Sequence, residues 1–215
     1  GLGDVYKRQY TRFLRGKIFD IHNPVFPTNT INNVKRENLI LSIGRHCSQK
    51  QFELLIKSCD KVFEKKPLWQ LVIIGNGHLT KSLEDIIKQY ALQDKVKLLP
   101  AVQDLSKWYQ KATLYAQPSQ WEGFPNAQVE AMSYGVIPIG FERTRGTADL
   151  IKNKNNGYLC KGEMNVNNFS KTILLAIDDY KNYENKSQNS QLVLKQYSVQ
   201  SWKTHWQSLL KETLK

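Results

Sequence analysis

The strongest constraint on how this chain folds is an alternation between short apolar runs and longer stretches whose apolar residues share one helical face. Residues 38–43, Gln70–Ile74, Val96–Leu99, 113–117 and Ile137–Phe141 are mostly apolar runs of four to six residues, and each gives way to a turn or loop. Strands without polar alternation are buried on both faces, the condition of a parallel sheet covered by helices. After the first run, Phe52, Leu55, Ile56, Cys59, Val62 and Phe63 recur at helical spacing and predict a helix over about 50–64. After the second, Leu83, Ile86, Ile87, Tyr90 and Ala91 do the same. Short helical stretches are predicted over 104–111 and 147–151, a short strand over 157–160, and helices over about 168–179 and 183–196. A last helix begins near Ser198 with Trp202, Trp206, Leu209 and Leu210 on one face. Upstream, Lys-Ile-Phe-Asp-Ile predicts a strand within 17–25, and 26–37 is polar and turn-rich. Strands alternating with helices at this spacing predict an α/β protein with a Rossmann-like, doubly wound parallel sheet.

Such a sheet binds ligands at the carboxyl ends of its strands, so the residues there carry the functional reading. One of those ends, Gly75-Asn76-Gly77, suggests a dinucleotide fingerprint but lacks the third glycine; a tight strand-to-helix turn is the better reading. The richest segment runs from Ser119 to Gly135, Ser-Gln-Trp-Glu-Gly-Phe-Pro-Asn-Ala-Gln-Val-Glu-Ala-Met-Ser-Tyr-Gly. It reads as a loop carrying Glu122 and Gly123 that feeds a helix, with Pro125 as first helical residue and Gly135 as its stop. A helix start offers unpaired N–H groups and the positive end of a dipole to a phosphate or a sugar hydroxyl. Glu122 precedes those donors and Glu130 lies about two turns on, so the two carboxylates face different parts of one ligand. Taken alone, the pair also reads as solvated helix charge.

The whole string resembles the signature of family-four glycosyltransferases, retaining nucleotide-sugar enzymes of the two-domain GT-B fold. Glu-Gly-Phe-Pro is followed by Glu-Ala-Met, with seven residues between the glutamates. Two further matches support it. Gly44, Arg45 and Lys50 follow the run ending at Ile43 with the spacing of the family's pair that grips the donor diphosphate. Pro100-Ala101-Val102 resembles the loop that holds the nucleobase, with Val102 as its small apolar side chain. The resemblance implies the C-terminal, donor-binding half of a GT-B fold. By it, Glu130 accepts from the ribose hydroxyls, and Glu122 contacts the donor sugar with the backbone N–H groups of Gly123, Phe124 and Asn126. Catalysis falls to Glu122, Arg45 and Lys50. Two departures stand out: Gln51 follows Lys50 where the family has a small residue, and Gly135 and Pro138 lie one residue further apart than in the commonest spacing. No Asp-x-Asp motif is present, since Asp178-Asp179 falls in a late helix, so the expected transfer is metal-independent. The expected donor is a UDP-sugar, a substrate rather than a cofactor. The expected acceptor is a glycan or a lipid-linked glycan in cell-surface polysaccharide synthesis.

Composition sets the remaining bounds. At 215 residues, 40% hydrophobic and 23% charged, the chain has the make-up of a soluble globular protein. No apolar run approaches the roughly 18 residues of a membrane helix. Cys47, Cys59 and Cys160 lie far apart without metal-ligand spacing, which reads as reduced thiols in the cytoplasm. The net charge of +12 is spread through most segments, so a solvated basic surface is the simplest reading. Peripheral contact with the anionic inner face of a plasma membrane comes next, and nucleic acid is not an expected partner. Residues 1–9 read as a translated sequencing-adapter scar and are set aside, which removes two basic and one acidic residue and leaves +11. Residues 10–16 are then read as the remnant of a preceding domain or hinge, 17–197 as the nucleotide-sugar-binding domain, and 198–215 as a helix that packs on the missing N-terminal domain. Two other functions fit parts of this pattern. A sugar-nucleotide epimerase of the same fold needs acid/base residues that the motif does not supply. A non-catalytic basic module for nucleic acid or membrane would show salt-dependent binding without nucleotide affinity.

Overall fold

The computed structural model describes residues 21–26 and 36–213. The regions expected as adapter scar and hinge remnant lie outside the described residues, as do four of the five residues of the Lys-Ile-Phe-Asp-Ile strand and most of the loop over 26–37. Six strands are described: β1 (Glu37–Ile43), β2 (Gln70–Ile74), β3 (Val96–Leu99), β4 (Ala112–Gln117), β5 (Ile137–Phe141) and β6 (Tyr158–Cys160). They form one parallel sheet in the order β3-β2-β1-β4-β5-β6. This is the doubly wound arrangement expected from the sequence. The chain winds outward from β1 through β2 and β3, then returns to β4 on the other side of β1 and winds away again. Side chains of successive strand residues point to opposite faces. Ile40, Leu71, Ile73, Leu114 and Ile139 accordingly belong to one core, and Leu39, Leu41, Val72, Ile74 and Tyr115 to the other.

The first core is covered by α1 (Phe52–Lys65), α2 (Thr80–Gln89) and α6 (Val166–Asp178). The second is covered by α3 (Ser106–Lys111) and α4 (Asn126–Ser133). Three short or peripheral helices, α5 (Arg145–Ala148), α7 (Tyr183–Ser190) and α8 (Val193–Gln196), precede the terminal α9 (Val199–Thr213). Several ends differ from the sequence reading for local reasons. Pro125 is not helical but caps α4, with φ −81° and ψ 82°. Those angles make an inverse γ-turn in which the Asn126 N–H donates to the Phe124 carbonyl at 3.0 Å. Asp104 lies outside α3, because its carboxylate accepts from the Ser106 N–H at 2.8 Å instead. The helix expected over 183–196 is two helices, broken where polar residues around Gln191 leave no continuous apolar face.

Distant segments are tied by side chains whose partners are backbone groups. Arg36 donates to the carbonyls of Tyr109, Gln110, Ala112 and Tyr134, and so clamps the entry to β1 against β4 and the end of α4. Beyond the sheet edge, Tyr158, Asn182 and Lys186 all donate to Asp179, with Lys186 Nζ at 3.0 Å. The Tyr158, Asn182 and Lys186 donors hold the Asp179 carboxyl down at about 2. A carboxylate depressed in the folded state stabilises above its unfolded value and loses that contribution as pH falls. Stability should therefore drop between about pH 4 and pH 2 in thermal melts. Asp179→Asn should melt lower at pH 7 and show a shallower decline across that window.

Candidate functional site

Where the winding reverses, the loops leaving β1 and β4 face one crevice, and the sequence-predicted residues gather there. The β1 loop begins with Gly44 and Arg45 and ends in a 3-10 turn, Ser48–Lys50. It is packed so closely on the loop after β2 that a Cβ on Gly75 would lie 1.9 Å from the Gly44 carbonyl oxygen, and one on Gly77 would lie 2.3 Å from that of His46. Gly75-Asn76-Gly77 is therefore a tight packing turn, as read from its missing third glycine. His46 lies buried beneath it. Its Nδ1 is 2.8 Å from Thr80 Oγ1, whose own hydrogen goes to the Gly77 carbonyl, so Nδ1 carries the ring proton. Burial lowers the His46 pKa and keeps the ring neutral.

The β1 and β4 loops are stitched together by the Gln120 N–H donating to the Gln49 carbonyl at 2.9 Å and Gln49 Nε2 donating to the Trp121 carbonyl at 2.8 Å. This places Lys50 against Glu122, with Nζ 2.6 Å from Oε1 and side-chain exposures of only 18% and 9%. A second donor, Gln117 Nε2 at the end of β4, reaches the same oxygen at 2.7 Å. Glu130 stands on α4 and accepts from the Tyr109 hydroxyl at 3.0 Å. Burial first, then the neighbouring Tyr115 and Glu130, push the Tyr109 pKa far up, so this phenol remains a donor at any ordinary pH.

Two cavities lie near this site, one lined by Arg45 and the other by Glu130. One of about 240 Å³ is lined by Ile43, Arg45, Asn76, Val102 and Leu105. The other, about 890 Å³, is lined by Leu105, Tyr109, Asn126, Glu130 and Tyr134 among others. Leu105 borders both, so the cavity at Arg45 and Val102 neighbours the one that Glu130 lines. Gly123 and Phe124 are half-buried at the crevice, and among the described residues their N–H groups donate to nothing. The Asn126 N–H is already committed inside the γ-turn. The Phe124 ring stacks on His22 at 4.5 Å and meets Tyr197 edge-on at 5.0 Å. Among the described residues no cluster of three His, Cys, Asp or Glu side chains could hold a metal ion.

With this geometry stands a sequence match to the family described as glycosyl transferases group 1, over residues 28–193. The chain belongs to that family. An uncharacterized glycosyltransferase of Haemophilus influenzae is 30% identical over 201 residues, covering 93% of this chain and 56% of its own length. The Campylobacter jejuni GalNAc-alpha-(1->4)-GalNAc-alpha-(1->3)-diNAcBac-PP-undecaprenol alpha-1,4-N-acetyl-D-galactosaminyltransferase is 27% identical, covering 98% of this chain and 59% of its own length. The chain thus spans little more than half the length of these relatives. A mutant of Staphylococcus aureus TarM, crystallised with fondaparinux, alpha-GlcNAc-glycerol and UDP, superposes with a TM-score of 0.86 at 22% identity. That superposition covers 96% of this chain and 42% of TarM, and shows that the fold is that of a GT-B glycosyltransferase half.

Within this group 1 chain, the departure at Gln51 has a conformational meaning. Gln51 sits at φ 52° and ψ 36°, a left-handed conformation that costs an L-residue roughly 1–2 kcal/mol and that glycine adopts freely. Several residues of the site escaped the sequence reading: Gln117, Tyr109, Thr144 and Gly146. Thr144 Oγ1 donates to the Ser119 carbonyl at 2.6 Å, and a Cβ on Gly146 would lie 1.9 Å from the Gly123 carbonyl oxygen. The start of α5 is therefore the floor on which the Glu122-Gly123 loop rests. Gly146→Ala must displace that loop, and by the usual scale of overpacking should destabilise by about 1–3 kcal/mol in urea unfolding.

Proposed function

We propose that this chain is the donor-binding half of a retaining glycosyltransferase that moves a hexosyl unit from a nucleoside-diphosphate sugar to a glycan or lipid-linked acceptor. The observation that carries the reading is the convergence of Arg45, Lys50, Glu122 and Glu130 on the crevice between β1 and β4 in a group 1 chain. The base lies in the smaller cavity against Val102, and the ribose hydroxyls donate to Glu130, whose carboxylate the Tyr109 hydroxyl steadies. Arg45 and Lys50 face the diphosphate. As the sugar departs, negative charge grows on the leaving phosphate, and preorganised cations in a dry crevice lower that barrier most. They supply the charge that a metal ion supplies in other transferases. The sugar sits at Glu122, where the N–H groups of Gly123 and Phe124, which donate to nothing among the described residues, are available to its hydroxyls. Retention follows from a front-face reaction in which the departing phosphate takes the acceptor's proton.

The rest of the relatives' length supplies the acceptor side, so this chain alone should bind donor without transferring sugar. The reacting atoms of acceptor and donor must come within about 3–3.5 Å, which needs both walls of a cleft. Helix α9 is the contact surface for that other half: Trp202 and Trp206 meet edge to face at 6.1 Å, and Trp206 and Leu210 remain 40% and 52% exposed. The basic surface suits acceptors presented at an anionic membrane face, although no helix among the described residues is long and apolar enough to cross a membrane.

Titration calorimetry of this chain with UDP, GDP and ADP tests the donor assignment, and UDP is the expected ligand. Glu130→Ala should weaken binding of the free nucleoside diphosphate, whereas Glu122→Gln should not reduce it; equal losses would reject the division between ribose and sugar. In the full-length enzyme, Lys50→Ala should lower kcat/KM on the order of a hundredfold, the scale for one preorganised donor to a developing anion. Arg45→Lys should also slow transfer, because a planar fork becomes a point charge. Wild-type rates in both would reject the diphosphate assignment.

A further inference from the structure

Gln117 closes β4 as a polar side chain only 2% exposed, in a strand that is otherwise nearly all apolar. An amide buried there is costly unless hydrogen-bonded, and both of its N–H bonds are used: one on Ser119 Oγ at 2.9 Å, the other on Glu122 Oε1 at 2.7 Å. A carboxylate only accepts, so the chemistry of Glu122 fixes which way the amide faces. Lys50 Nζ donates to the same Oε1 at 2.6 Å. Lys50 therefore has two claims on it, the Glu122 carboxylate in this structure and the diphosphate in the donor-bound enzyme.

We infer that Gln117 is a positioning residue that allows this exchange: it keeps Glu122 hydrogen-bonded and oriented when Lys50 leaves it for the donor diphosphate. The inference rests on the donor reading above. A carboxylate this buried with Lys50 as its sole donor would retain the ammonium, since losing it would strand a desolvated charge. A second cation at the same place would repel Lys50. A neutral amide does neither, and its position on the last residue of a central strand makes it rigid. With Oε1 held by Gln117, Oε2 stays available to a sugar hydroxyl.

The test is a double-mutant cycle read by calorimetry with UDP, GDP and ADP, and with uridine, guanosine and adenosine. Gln117→Met, close in volume, should weaken nucleoside diphosphate binding about tenfold, the scale of one hydrogen bond to a charged group. It should leave nucleoside affinity unchanged. Placed in a Glu122→Gln background, where no charge is stranded, the same substitution should have no effect on the diphosphates. If Gln117→Met does not fold, as judged by its melting transition, Gln117→Asn retracts the same amide by one methylene and enters the same cycle. An equal loss for nucleosides, or an undiminished loss in the Glu122→Gln background, would make Gln117 merely structural and overturn the inference. If none of the six ligands binds the unsubstituted chain, the donor reading itself falls and takes this one with it.

Discussion

Everything functional in this fold depends on the reversal of winding between β1 and β4. Two parallel strands lie side by side while their connections leave in opposite directions, so the loops at their carboxyl ends cannot cover one another. A crevice is the geometric consequence, and the polypeptide places its unusual residues there. Ser42 Oγ donating to the Ala116 carbonyl at 2.6 Å ties the two strands just below it. Above it, the Gln49 and Gln120–Trp121 bonds tie the loops. The backbone of the crevice is thus tied on both sides, a preorganisation that suits the leaving-group stabilisation proposed above.

The second constraint is the desolvation of Glu122. A carboxylate 9% exposed must be paired, and the two donors that satisfy it differ in kind. One is a cation on the β1 loop and the other a neutral amide on β4. Around them the loops approach at backbone distance, which is why glycines stand at positions 75, 77 and 146. Charge, burial and backbone contact all meet within the loops that follow these two strands. The hydrophobic helices α1, α2 and α6 pack on one face of the sheet and hold those strand ends in place.

The sequence made the sheet legible because buried parallel strands leave an unmistakable pattern. Gln70–Ile74, Val96–Leu99 and Ile137–Phe141 have the bounds read from their apolar runs. Helix ends were less legible where side chains or turns override propensity, as at Pro125, Asp104 and the break near Gln191. Arg45, Lys50, Glu122 and Glu130 were legible as a set because their spacing resembles a family signature, and the fold brings them to one crevice. Their supporting residues were not. Tyr109, Thr144, Gly146 and Arg36 act across separations of tens of residues through a few hydrogen bonds or close contacts, and nothing local in the sequence encodes those. Gln117 was hidden differently, as one polar residue at the end of an apolar strand.

The most direct measurement is a crystal structure of this chain with UDP. The account predicts the base against Val102 and Leu105, the ribose hydroxyls within hydrogen-bond distance of Glu130, and Lys50 Nζ moved from Glu122 onto the diphosphate. A nucleotide seated instead in the separate cavity of about 490 Å³ lined by Cys47, Phe52, Leu83 and Met164, with the Lys50–Glu122 pair intact, would contradict it.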